Sequence, residues 1–161
     1  MKACLRLMAS FVAILCLSPA HGQSDETKDA KIKRALSAAP DTVAKNAMVV
    51  DMDEKGNMTV LREGSNGFTC IAGHPGITGD DPVCADAVAM QWMMSWMAHK
   101  PKPGNTRPGI IYMLAGGSDW SATDPWATSG TPKKWPPGWI IVWPFDPKAT
   151  GLPGKPKNIG A

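Results

Sequence analysis

FTCIA at residues 68–72 and DPVCADAVAMQWMMSWMAH at residues 81–99 are the two stretches that decide the fold. The first is short and β-prone, which predicts a strand. The second has apolar residues at spacings of three and four, which predicts an amphipathic helix from about Pro82 to His99. These apolar positions are Val83, Ala87, Met90, Met94 and Met97, with Trp92 and Trp96 on an adjacent line. Asp80 or Asp81 is the predicted N-cap of this helix.

Four further β-prone runs flank these stretches. They are residues 48–51, 58–61, 110–114 and 139–143. The first two are separated by a turn segment containing Gly56, which predicts a β-hairpin, and consecutive strands with short turns favour an antiparallel meander. The chain has 16 glycines and 15 prolines, which predict long loops. The predicted fold class is therefore α+β, with a small antiparallel β-sheet, one main α-helix, one disulfide and long loops.

Residues 1–22 have the pattern of a secretory signal peptide. Two basic residues precede an apolar run from Leu7 to Leu17, and small residues follow it up to Gly22. The run is too short for a permanent membrane anchor, which needs about 20 residues. Cys16 lacks the small preceding residues of a lipid-anchored cysteine, so we interpret it as apolar filler of the signal. The predicted location is periplasmic or secreted, with cleavage near Gly22.

The four cysteines predict one disulfide. Cys4 and Cys16 fall within the signal, so its removal leaves Cys70 and Cys84 alone in an oxidising compartment, where two thiols normally pair. Closing a loop of about 15 residues contributes about 3 kcal/mol in the chain-entropy model. The alternative is a metal site formed by Cys70, His74, Cys84 and His99. Structural zinc sites pair close ligands, and only Cys70 and His74 are close in sequence, so no metal or cofactor is predicted.

The rest of the chain divides by composition. Residues 23–46 are polar and of mixed charge, and we interpret them as a frayed leader, with a short helix from Thr27 to Ala38 as the alternative. Residues 47–143 hold the predicted strands and the main helix and are predicted to form a single α+β domain. Residues 144–161 are rich in proline and glycine and poor in apolar residues, which predicts a tail without a core of its own.

Charge excludes one class of partner. Lysine and arginine number 17 against 14 aspartates and glutamates, and two of the basic residues leave with the predicted signal. The mature chain is therefore close to neutral. Nucleic-acid-binding domains normally carry a strong basic excess or a basic stripe, so no nucleic-acid partner is predicted.

Residues 116–126, with the sequence GGSDWSATDPW, form the most site-like segment. They follow an apolar strand and offer carboxylates, hydroxyls and two glycines that let a ligand approach the backbone. The candidate ligand residues are Ser118, Asp119 and Asp124. The alternative is a series of Asx and Ser/Thr turns that satisfy their own main chain. We favour that alternative at Asp124, where the following Pro125 fixes a turn.

All seven tryptophans lie between Trp92 and Trp143. A candidate aromatic surface consists of Trp120, Trp126 and Trp135, since exposed rings stack on sugars or proline-rich peptides. The alternative interpretation assigns the other tryptophans to the core. These are Trp92, Trp96, Trp139 and Trp143.

The main helix also carries a cluster of methionines at residues 90, 93, 94 and 97. Thioether sulfurs are soft ligands, and exported methionine clusters hold copper(I). The same spacing fills a core, for which methionine is well suited, so core packing is favoured. Copper binding by the Met90–Met97 helix remains an alternative.

Several short motifs resemble a family of uncharacterised exported bacterial proteins. The motifs are Leu61-Arg62-Glu63-Gly64, Asn66-Gly67-Phe68-Thr69-Cys70, Asp81-Pro82-Val83-Cys84, Tyr112-Met113-Leu114, Gly116-Gly117-Ser118 and Thr123-Asp124-Pro125. The chain departs from that pattern at Phe68 and Trp126, where the family is expected to have tryptophan and phenylalanine. The resemblance implies an exported single domain and transfers no catalytic residue.

These patterns favour a non-enzymatic exported domain over an enzyme. Only His74 and His99 remain after the signal is removed, and the chain has no Gly-x-Ser-x-Gly elbow, phosphate-binding loop or dinucleotide fingerprint. The predicted function is therefore binding or envelope maintenance, with a small molecule, a glycan or an envelope component as partner. One alternative is a small hydrolase or small-molecule enzyme that uses the 116–126 loop. The other is the copper-binding protein described above.

Overall fold

The computed structural model describes residues 26–124 and 126–144, which form three helices and eight strands. The helices are α1 (Lys28–Leu36), α2 (Asp41–Ala44) and α3 (Ala87–Met97). The strands are β1 (Met48–Met52), β2 (Met58–Arg62), β3 (Phe68–Ile71), β4 (Val83–Asp86), β5 (Gly109–Met113), β6 (Gly117–Asp119), β7 (Lys133–Trp135) and β8 (Gly138–Val142). The predicted signal peptide, residues 1–22, and all but the first residue of the predicted tail, residues 144–161, lie outside the described residues.

Six strands form one sheet in the order β2-β1-β3-β4-β5-β8, and β6 and β7 form a separate antiparallel ribbon. Neighbouring strands of the sheet are antiparallel except β1 and β3, which run parallel. The α+β class, the mainly antiparallel sheet and the β1–β2 hairpin are therefore as predicted. The meander expected for the first three strands is wrong, because β3 lies beside β1 instead of beside β2.

The segment after β2 explains this strand order. At Gly64 the chain passes so close to the start of β1 that a Cβ atom there would lie 2.0 Å from the backbone nitrogen of Met48. Next to it, the Ser65 amide donates a hydrogen bond to the carbonyl of Asn46 at 2.8 Å. These contacts direct the chain past the start of β1, so that β3 begins on the side of β1 that β2 does not occupy.

The two main helices cover opposite faces of the sheet. Successive residues of a strand point to opposite faces, so Cys84 and Ala85 in β4 belong to different layers. Cys84 packs in the cluster that includes Ala35 of α1, whereas Ala85 packs with Ala89 of α3 and with Val142 of β8. The core is therefore divided into an α1 layer and an α3 layer.

Helix α1 corrects the interpretation of residues 23–46 as a frayed leader. Ala35 and Ala38 are fully buried against the sheet, and the Arg34 guanidinium donates hydrogen bonds to the carbonyls of Ala72 and Gly73 at 2.8 Å. The alternative, a short helix from Thr27 to Ala38, is close to the observed Lys28–Leu36. Alanine gives little hydrophobic signal in a sequence, but its small side chain lets a helix pack closely on a strand, which is why composition misled here.

The main helix begins later than predicted. Residues from Val83 to Asp86 form β4, and α3 starts at Ala87 with Asp86 as its N-cap, instead of Asp80 or Asp81. Val83 and Ala87 are four positions apart. This spacing fits a strand, in which every second residue faces the same side, and also a helix, in which every third or fourth residue does. The spacing alone therefore does not distinguish a strand from a helix here. Within the described residues, no helix has both the length and the apolarity needed to cross a membrane.

Asp86 joins α3 to the sheet through both carboxylate oxygens. Oδ1 accepts a hydrogen bond from the Ala89 amide at 2.7 Å, and Oδ2 accepts one from the Ile110 amide of β5 at 3.1 Å. We expect Asp86→Ala to lower the free energy of unfolding by about 3 kcal/mol, because a helix cap and a second backbone donor lose their partner together. Thr27→Ala, which removes only the α1 cap, should cost about 1 kcal/mol. Urea melts of both variants test this, and equal losses would contradict the double role of Asp86.

The predicted disulfide is confirmed. Cys70 and Cys84 are opposite each other in the register of β3 and β4, and their sulfur atoms lie 2.10 Å apart. Both residues are fully buried in the α1 layer of the core. The alternative metal set loses both thiolate ligands as a result, because the two sulfurs are bonded to each other.

Candidate functional site

A pocket of about 450 Å³ lies on the α3 side of the sheet. Its floor is formed by the sheet, through Ile71, Val83 and Ile111, and α3 forms one wall. The β6–β7 ribbon and the β1–β2 hairpin loop supply further walls. Since eight separate chain segments contribute, the pocket is a product of the tertiary fold and has no single sequence motif.

Three tryptophans line this pocket. Trp92 and Trp96 lie one helical turn apart on α3, and their rings are stacked with centroids 6.2 Å apart and planes within 3° of parallel. Trp135, at the end of β7, lines the pocket from the ribbon. All three are only partly buried, so their rings remain accessible to a ligand. An apolar or aromatic molecule can therefore contact aromatic surface on two walls.

Four methionines also line the pocket, and they come from three different elements of the fold. They are Met52 at the end of β1, Met93 and Met97 on α3, and Met113 at the end of β5. Of the predicted Met90–Met97 cluster, Met90 instead packs on the core and Met94 is 36% exposed. The helix methionines therefore divide between core packing and the pocket. Methionine side chains adapt readily to differently shaped ligands.

Five carboxylates line the same pocket and are here called the acidic set. They are Asp53 and Glu54 from the β1–β2 hairpin loop, Asp80 and Asp81 from the segment before β4, and Asp119 from β6. Hydrogen bonds from the side chain and backbone of Asn57, and from the Lys55 backbone, lower the pKa of Asp53 below its usual 3.8. The ionised carboxylate of Asp53 therefore stabilises the hairpin loop fully above its ordinary pKa of 3.8. This stabilisation is lost as the pH falls through the lowered pKa that Asp53 has in the folded protein.

The structure separates the three residues of the predicted ligand loop. Ser118 and Asp119 lie in β6 and line the pocket. Asp124 is exposed, does not line it, and accepts a hydrogen bond from the Trp126 amide at 3.0 Å, which is the turn geometry favoured for it from sequence. The hydroxyl of Ser121 accepts from the amides of Thr123 and Asp124, so this part of the loop satisfies its own main chain.

The three residues of the predicted aromatic surface have different surroundings. Trp135 lines the pocket, Trp126 is 50% exposed with its ring against that of His99 at 5.3 Å, and Trp120 is partly buried outside the pocket. The assignment of Trp139 and Trp143 to the core is wrong. They are 59% and 41% exposed, because β8 is an edge strand and α1 does not extend over this end of the sheet.

The two described histidines are both engaged away from Ser118. His74 Nδ1 lies 2.5 Å from Asp80 Oδ2, and its Nε2 lies 3.8 Å from Asp51 Oδ1. Asp51 also pairs with Lys31 of α1. The Ser118 hydroxyl lies 3.5 Å from Asp81 Oδ2 and has no imidazole contact in the part of the chain that the structure describes. A carboxylate next to a serine hydroxyl is not by itself the activated arrangement that covalent catalysis uses.

Sequence reasoning missed most of the pocket. It singled out Ser118, Asp119 and Trp135 as site residues but passed over the acidic residues of the β1–β2 hairpin loop and of residues 80–81. The one available signal was the grouping of acidic residues in two turn segments, Asp53-Glu54 and Asp80-Asp81, which solvated turns also show. Comparison of the chain with protein-family models, with curated proteins and with solved structures finds no match.

Proposed function

We propose that this chain is an exported, non-enzymatic binding protein whose ligand is a small molecule with a large apolar part. The observation that carries the proposal is the pocket of about 450 Å³ with three tryptophans and four methionines on its walls. Small-molecule sites are typically about 300–1,000 Å³, mainly apolar, and have a few polar groups that orient the ligand. This pocket fits each of those criteria.

The floor of the pocket favours an apolar ligand over a glycan. Ile71, Val83 and Ile111 form this floor and offer no hydrogen-bonding side chain to the hydroxyl groups of a sugar. The aromatic rings and the flexible thioethers bury an apolar molecule without demanding a single shape. Export remains part of the proposal and is supported by the signal-like residues 1–22 and by the Cys70–Cys84 disulfide.

Catalysis is less well supported by the same geometry. Ser118 and Asp119 line the pocket, but the Ser118 hydroxyl donates to Asp81 Oδ2 at 3.5 Å, and that oxygen already accepts from the Ser118 amide at 2.5 Å. That carboxylate holds β6 against the segment before β4. We therefore assign it a structural role in shaping the pocket.

Copper(I) binding is the second candidate, and one observation favours it. Met52, Met93, Met97 and Met113 line one pocket although they come from three separate elements, and thioether sulfurs are ligands that copper(I) accepts. Met93→Leu separates the two candidates, because leucine keeps a similar apolar volume and removes the sulfur. Copper(I) affinity lost in this variant, together with unchanged binding of an apolar probe, would identify a copper site.

The proposal is tested with N-phenyl-1-naphthylamine, a neutral apolar probe whose fluorescence rises on burial. We expect saturable binding by the wild type. Trp135→Ala should weaken it about tenfold, equivalent to about 1.4 kcal/mol, because one aromatic wall is removed. The matched control is Trp126→Ala, since Trp126 is also a partly exposed tryptophan but does not line the pocket. Absence of saturable binding, or equal losses in the two variants, would contradict the proposed site.

A further inference from the structure

We infer that the ligand of this pocket is an organic cation, with an apolar body against the tryptophans and a positive charge among the carboxylates. The inference rests on the proposed function and names the ligand class of the same site. Two independent features of the pocket support it. They are the acidic set, which supplies negative charge, and the stacked tryptophans, whose ring faces attract cations.

The charge of the pocket is of one sign. Five carboxylates line it, from three segments that are distant in sequence, and no lysine or arginine is among the described residues of its walls. The chain as a whole has slightly more basic than acidic residues, so this concentration of negative charge is local. A cleft lined by one sign of charge with low-dielectric walls focuses the field and raises the local concentration of counter-ions.

In the part of the chain that the structure describes, most of this negative charge has no cationic partner. Asp81 Oδ2 and Asp119 Oδ1 accept hydrogen bonds from the backbone amides of Ser118 and Trp120, at 2.5 and 2.7 Å. These donors are uncharged, so they orient and stabilise the carboxylates without cancelling their charge.

The remaining members of the acidic set differ in their partners. Among the described residues, the Asp53 side chain accepts hydrogen bonds from Lys55 and Asn57 of its own loop, and Glu54 forms no ion pair. Asp80 is the exception, because it pairs with His74. Four of the five carboxylates around the pocket, all except Asp80, therefore have no cationic partner within residues 26–124 and 126–144.

The dispersal of these carboxylates argues for an organic cation and against a metal ion. A calcium site needs six to eight oxygen ligands converging on one point. Within residues 26–124 and 126–144, no three histidine, cysteine, aspartate or glutamate side chains are grouped closely enough to hold a metal ion. Carboxylates spread around an aromatic pocket instead suit a positive group of larger radius, such as a substituted ammonium, which forms weak contacts with several anions and with ring faces.

Three ligands with one naphthyl body and different charges test this inference. They are 1-naphthylmethyl-trimethylammonium, 1-naphthylmethanol and 1-naphthaleneacetate, measured by calorimetry and by tryptophan fluorescence at low salt. The cation should bind at least about fivefold more tightly than the alcohol, and the acetate should bind most weakly. Raising the salt concentration should reduce this preference, because screening weakens the attraction of exposed charges.

Two charge-neutralising variants identify the residues responsible. Glu54→Gln and Asp119→Asn keep the size and the hydrogen-bond acceptor of each side chain. Combined, they should weaken binding of the cation at least about fivefold more than they weaken binding of 1-naphthylmethanol, because only the cation loses a charge–charge attraction. Asp124→Asn is the matched control, because Asp124 is exposed and does not line the pocket, and it should change neither affinity.

The outcomes separate this inference from the function on which it rests. Equal affinities for all three ligands would overturn the charge preference and leave the apolar binding site intact. No binding of any of them would overturn both. A cation preference that persists unchanged in the double variant would overturn the assignment to the acidic set, and tight binding of Ca²⁺ alone would assign these carboxylates to a metal ion instead.

Discussion

Replacing Gly64 with alanine is expected to lower the free energy of unfolding by about 3 kcal/mol or more, the upper range for an inserted methyl group. A Cβ atom at this position would lie 2.0 Å from the nitrogen of Met48 and 2.5 Å from the carbonyl carbon of Ala47. Both are backbone atoms at the start of β1, so no change of side-chain rotamer relieves the overlap. The segment after β2 would have to move away from β1.

Gly138→Ala is the matched control for this prediction. The nearest atom to a Cβ at residue 138 is the carbonyl oxygen of Pro136 at 3.8 Å, an ordinary contact distance. We expect its stability to stay within about 0.5 kcal/mol of wild type. Denaturant melts of the two variants provide the comparison. A Gly64→Ala protein as stable as Gly138→Ala would show that residues 63–65 do not lie against β1 as described.

The residues around Gly64 hold the segment after β2 in place where it passes the start of β1. One guanidinium nitrogen of Arg62 donates to the carbonyls of Ala44 and Ala47, at 2.6 Å each, and so joins β2 to the end of α2. Leu61 packs against the α1 layer of the core. The quartet Leu-Arg-Glu-Gly at residues 61–64, one of the motifs of the resemblance, therefore has a structural role and lies away from the pocket.

The elements that the sequence predicted well are those defined by local pattern. The β1–β2 hairpin follows from two β-prone runs and a turn, and the strand at residues 110–114 corresponds to β5 within a residue at either end. The parallel pairing of β1 with β3 was not predictable in this way. It depends on the path of the chain past the start of β1 at Gly64. The close contact of Gly64 with Met48 is a property of three-dimensional packing and has no local sequence signature.

The candidate site was predicted only where a loop carried its own signal. Polar residues that follow an apolar strand predict Ser118 and Asp119 as ligand residues, and both line the pocket. Asp124 belongs to the same segment, and its carboxylate accepts from the Trp126 amide, which agrees with the turn role favoured from sequence. Met52 and Glu54 come from the β1–β2 hairpin, which is distant in sequence from residues 118–124. Their approach to α3 depends on how the sheet and the helix pack together. That packing is a long-range effect which the local pattern does not contain.

Removal of the disulfide by the double substitution Cys70→Ala and Cys84→Ala is expected to lower the free energy of unfolding by about 3 kcal/mol, from the lost closure of the loop alone. The two residues are 14 positions apart and fully buried, so loss of the sulfur atoms from the core adds to this effect. A small domain has only about 5–15 kcal/mol of net stability, so the variant should unfold at a much lower denaturant concentration. Urea melts of wild type and variant measure the difference.

Reductant supplies the control that separates the covalent bond from core packing. Dithiothreitol should destabilise the wild type and leave the double variant unchanged, since the variant has no bond to reduce.

Reduction should also weaken binding of the neutral naphthylamine probe, because the disulfide joins β3 to β4, and these strands carry Ile71 and Val83 of the pocket floor. If intact mass of protein exported by its own signal showed two free thiols, or if reductant left wild-type stability unchanged, the disulfide would not be what holds these strands together. Loss of stability on reduction with unchanged probe affinity would show that the bond stabilises the α1 layer without supporting the pocket on the opposite face.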